Sequence, residues 1–113
     1  MKLVESIGLE ELNIMSKNMY DEMVKGVVDI EQKLLVLDAG LHSDEEQFLL
    51  ENGSRQEDLW GINLYPDEYG TEDFIEFDSM INIRPSQDNR SRCVENENIQ
   101  QIIREIVAEA VHE

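Results

Sequence analysis

Between Phe74 and Ser91 the chain carries the residue types that hold a polar ligand. Glu76, Asp78, Asn82 and Arg84 alternate with Ile75, Phe77, Ile81 and Ile83. On a β-strand, such spacing turns the polar set to one face and the apolar set to the other. Arginine presents a planar fork that grips a carboxylate or phosphate through two hydrogen bonds. Arg84 and Arg90 are therefore candidate anion ligands, with Asn82, Asn89 and, from the preceding strand, Asn63 to orient the ligand. Arg92, Ser86 and Ser91 are further donors. From Ser79 to Val94 there are three arginines and one acid, Asp88, which makes this the one stretch with local positive charge. The plainer alternative is a solvated sheet face whose arginines neutralise the protein's own acids.

Other chemistry is thinly supplied. In a hydrolase, Glu76 or Asp78 would be the general base, with a pKa raised by burial. Whether the domain is an enzyme is left open. His42 stands beside Asp44, Glu45 and Glu46, but helix capping accounts for these acids, so no metal is expected. Ser54, Ser79, Ser91 and Cys93 lack a G-x-S-x-G elbow and an evident base. The glycine fingerprints of phosphate and dinucleotide cofactors are missing, so no cofactor is expected.

The charge balance bounds the partners. Twenty-six acids face nine bases, a formal net charge of -17. Such a surface repels nucleic acid and anionic membrane, so direct binding to either is not expected. It would attract a basic protein. Asp67, Glu68, Glu72, Asp73, Glu76 and Asp78 fall within twelve residues without one base. This spacing motivates a rival function: an acidic interaction module that binds a basic partner or mimics nucleic-acid charge. A single cysteine allows no internal disulfide, and the start lacks the apolar run of a signal peptide, so the cytoplasm is the expected location.

The elements that must position these residues are readable in outline. Leu9, Leu12, Met15, Met19 and Met23 predict a helix over 9–24, ended by Gly26. Val27–Ile30 and Leu34–Leu37 predict a hairpin. Ser43 and Glu46 have the spacing of a capping box for a second helix, closed at Asn52-Gly53. A strand over 59–65, a turn at 66–70 and a long alternating strand from Phe74 to Arg84 follow, with a bulge or break at Ser79. Ile99, Ile102, Ile103, Ile106, Val107 and Ala110 predict a last helix over 97–111, capped at Asn96 or Asn98. A Met or Ile stripe is also a candidate surface for a homo-oligomer.

Two segments carry a resemblance: the run from Glu51 through Trp60-Gly61 to Pro66, and the run from Ile75 to Pro85 followed by Asn89-Arg90-Ser91. Together they resemble a prokaryotic family known only as a domain of unknown function. The resemblance extends over nearly the whole chain and implies a stand-alone small protein, with no activity or ligand to transfer. The expected structure is one α+β domain, residues 1–113, with an antiparallel sheet of four to five strands and about three helices packed on one face. The expected function is a binding module for a small anionic or polar ligand.

Overall fold

The computed structural model describes residues 1–113. Its elements run β1 (Lys2–Val4), β2 (Ile7–Gly8), α1 (Leu9–Met19), β3 (Val24–Asp29), β4 (Leu34–Leu37), α2 (His42–Glu51), β5 (Leu59–Leu64), β6 (Ile75–Glu76), α3 (Glu97–Ala110) and β7 (Val111–His112). Five strands form an antiparallel sheet in the order β1-β4-β3-β5-β6. β2 and β7 pair in parallel apart from it. This is the α+β class expected from the sequence, with three α-helices. No helix is long and apolar enough to cross a membrane.

Both faces of the sheet are covered, because β3, β4 and β5 are apolar at successive positions. Val24, Val28, Leu35, Leu37, Trp60, Ile62 and Leu64 face the main core, built with Leu12 and Met15 of α1 and with Ile103, Ile106 and Val107 of α3. Val27, Val36 and Leu59 face the other way and pack with Leu49 of α2. The helices thus divide two and one between the faces, where the sequence suggested one side only.

Three features differ from expectation, the end of α1, the place of Gly26 and the long strand, each for a local reason. α1 stops at Met19 because Asp21 turns left-handed (φ 69°) and donates its amide to Ser16 O, closing the helix. Gly26, expected as the helix terminator, lies inside β3, where a Cβ would meet Leu37 Cδ2 at 2.8 Å. The β3–β4 turn lacks Asn-Gly because Asp29 holds it: its buried carboxylate accepts from the Glu31 and Gln32 amides and from Ser54 Oγ.

The long strand is the third difference. β6 ends at Glu76, and Met80–Asn82 is a 3-10 turn whose Ile81 amide is capped by Ser79 Oγ. The turn rotates the chain and inverts the alternation. Asn82 is fully buried and Arg84 nearly so, while Ile83 is exposed. Asn82 then completes the ladder that β6 leaves unfinished. Its amide accepts from Gly61 N at 2.8 Å and donates to Gly61 O at 3.0 Å. The approach requires glycine, since a Cβ on Gly61 would lie 2.5 Å from Ser79 Cβ.

Gly61→Ala is therefore expected to destabilise the fold by about 2–4 kcal/mol, through overpacking and loss of the Asn82 bonds. Gly40→Ala, whose Cβ meets nothing within 4 Å, should change little. Urea unfolding of the two variants checks the contrast.

Candidate functional site

The ligand residues expected from the sequence are largely engaged in the scaffold. Arg84 donates to Gln56 O and Leu59 O and stacks over Trp60, 4.1 Å from the ring centroid. Burial lowers its pKa. Asn89, also buried, donates to Asn82 O, Ser91 O and Cys93 O and accepts from Glu95 N. Asn63 donates to Glu76 Oε1 at 2.8 Å and to Asp78 O. Glu76 also accepts from Tyr65 Oη. Arg90 is exposed, 3.8 Å from Asp88. Arg84 and Arg90 line no common cavity, so their two guanidiniums form no shared grip.

A different set converges on the α2 face of the sheet. A pocket of about 280 Å³ is lined by Lys25, Leu41, His42, Ser43, Ser79, Met80, Ile81 and Arg92. It is the only cavity in the molecule with two permanent cations and no carboxylate in its wall. Lys25 projects from β3 and makes no ion pair; its Nζ lies 5.1 Å from the Tyr20 ring centroid. Arg92 is fixed at its main chain, where its carbonyl accepts from Ser79 N and Asn82 Nδ2. Its Nε donates to Asp78 at 2.6 Å, leaving the rest of the fork toward solvent.

The start of α2 forms the third wall. The expected Ser43–Glu46 capping box is absent: the helix begins two residues earlier, with Leu41 as N-cap and no side-chain cap. The first-turn amides of His42 and Ser43 donate to no protein acceptor. Uncapped helix amides and the macrodipole favour an anion at this position. Sequence reasoning missed Lys25 and Ser43 and placed His42 only in a metal context. The available signal was local: a lysine inside the apolar run Val24–Val28, and a leucine where a cap is favoured.

Two buried ionisable groups of α2 lie near this pocket, both shifted toward their neutral forms. His42 Nε2 lies 2.8 Å from Ile62 O, which makes it the donor nitrogen of the ring. Burial, opposed by that bond and aided by Lys25, lowers its pKa. Glu45 is fully buried; Oε2 accepts from Ala39 N and Oε1 has no partner. Burial pushes its pKa up to about 9. Neutral at pH 7, it sets no negative charge near Lys25. No three His, Cys, Asp or Glu side chains cluster as metal ligands.

The Glu45 shift fixes the sign of a pH effect. Its folded pKa lies above the unfolded value of 4.5, so its contribution is complete below 4.5 and declines as pH rises toward 9. At pH 7 the protonated burial costs about 3 kcal/mol. Glu45→Gln, which keeps the shape without the titration, is expected to raise Tm at pH 8 and to flatten the fall in Tm between pH 5 and 9. Thermal melts across that range check it.

Neither a curated protein nor a solved structure matches the chain. A family match covers residues 2–110, nearly the full length, and bears out the resemblance carried by the Trp60-Gly61 and Ile75–Pro85 segments. The chain belongs to the family described as protein of unknown function (DUF5674).

Proposed function

We infer that residues 1–113 form a single domain that binds a small anionic ligand in the pocket between β3, α2 and the Ser79–Arg92 segment. One observation carries this reading: in a chain of net charge -17, two cations and two unpartnered helix amides surround a cavity without a carboxylate in its wall. Of the features expected from the sequence, the arginine-bearing loop contributes Arg92; the polar face of Asn63, Glu76, Asp78, Asn82 and Arg84 lines no part of this pocket, and Lys25 comes from β3. Lys25 supplies a point charge, Arg92 a partly free fork, and the α2 amides fixed donors. Asn82, Asn89 and Arg84 hold the loop that presents Arg92.

Inorganic phosphate is the simplest probe. It should raise Tm in proportion to occupancy, and calorimetric titration should give a one-site isotherm. Lys25→Ala and Arg92→Ala should each weaken binding about tenfold or more, the loss of one charge-assisted contact. Arg90→Ala, outside the pocket wall, should leave it unchanged. Binding that survives Lys25→Ala, or failure of phosphate, acetate and their phenyl counterparts alike, would rule the reading out.

A further inference from the structure

We propose that the ligand of this pocket is an amphipathic anion: a phosphate or carboxylate head joined to a small apolar or aromatic body. The inference rests on the anion-binding reading above and specifies its ligand class. Leu41 is 57% exposed and Met80 66% exposed, two of the eight large apolar side chains the molecule leaves to solvent. They come from different parts of the chain, yet both line the pocket that holds Lys25 and Arg92, together with half-buried Ile81.

Their exposure is built into the backbone. Met80 opens the 3-10 turn that Ser79 Oγ caps, and the turn is seated by Asn82 on Gly61. Leu41 occupies the N-cap of α2, where Ser, Thr, Asp or Asn would satisfy a first-turn amide. A leucine there sacrifices helix stability and leaves an apolar side chain in water. Breaks of a local rule of this kind are expected at functional or strained positions.

The division of the wall follows the ligand's two ends. The head takes Lys25, the Arg92 fork and the α2 amides. The body lies across Leu41, Met80 and Ile81. Methionine is unbranched and polarizable, suited to adapt to the face of a ring. A volume of about 280 Å³ accommodates an anionic head together with one small ring or a short chain.

The test compares ligands that share a head. Phenyl phosphate should bind the wild-type domain at least about tenfold tighter than inorganic phosphate. Benzoate against acetate asks the same of a carboxylate head, and an aryl advantage in either pair supports the proposal. In the Leu41→Ser, Met80→Gln double variant the aryl-to-simple affinity ratio should collapse toward one. Leu41→Ser supplies the missing cap, so it should raise Tm while lowering the ratio, which separates loss of recognition from loss of fold. Equal affinity within both pairs in the wild type would overturn the amphipathic ligand and leave the anion reading standing. An aryl advantage that persists in the double variant would overturn the assignment of Leu41 and Met80. Failure of all four probes to bind would remove the anion reading itself.

Discussion

The side-chain amide of Asn82 stands in for a missing strand. β6 covers β5 for two residues only, at Asn63 and Leu64, which leaves the rest of that edge with unpaired main-chain groups. Buried groups of this kind each cost about 1–3 kcal/mol when unmatched. Asn82 matches both groups of Gly61, and Arg84 takes the carbonyl of Leu59. Two side chains thereby close an edge that a strand would ordinarily cover. Asn82 also donates to Arg92 O, and Asn89 donates to Asn82 O. The 79–93 segment is thus tied to the sheet through side chains, and the floor of the candidate pocket and the position of Arg92 follow from that tie.

The groups around the same pocket show how the acidic chain keeps this doubly cationic cavity free of negative charge. Glu45 is close enough to Lys25 for the two charges to interact, yet burial holds it protonated. Asp78 is engaged by Arg92 Nε. Lys25 is left without an ion pair in a molecule where acids outnumber bases nearly threefold. Selection for folding alone would favour pairing Lys25 and giving Glu45 a partner, so this arrangement is the feature that stability does not explain.

What was legible in the sequence was what near neighbours decide. The α3 stripe and its Asn96 cap, and the Gly53 termination of α2 at φ 100°, follow from spacing and from residue conformational preference. The strand over 75–84 was misread because alternation reports a period and not a partner. Asn82 and Arg84 are drawn inward by main-chain groups of residues far away in sequence, and this overrides the hydrophobicity of Ile83. The pocket was illegible for the same reason. Lys25, His42 and Arg92 lie in three separate segments, and nothing local to any of them announces that β3, α2 and the loop meet. Arg84 and Arg90 drew attention because they are close in sequence, yet one is buried against Trp60 and the other extends into solvent.

The net charge and the pocket act over different distances. At physiological ionic strength the field of the 26 acids fades over about 8 Å, so it governs approach more than contact. Within that range the nearby cations and fixed amides dominate. An anion held only by charge would still meet the repulsion on every approach, and competing salt would further weaken it. Apolar contact with Leu41 and Met80 is not screened in this way. A head attracted only at short range and a body that binds independently of salt are complementary solutions to one constraint on the proposed ligand, which would have to reach its pocket across a strongly negative surface.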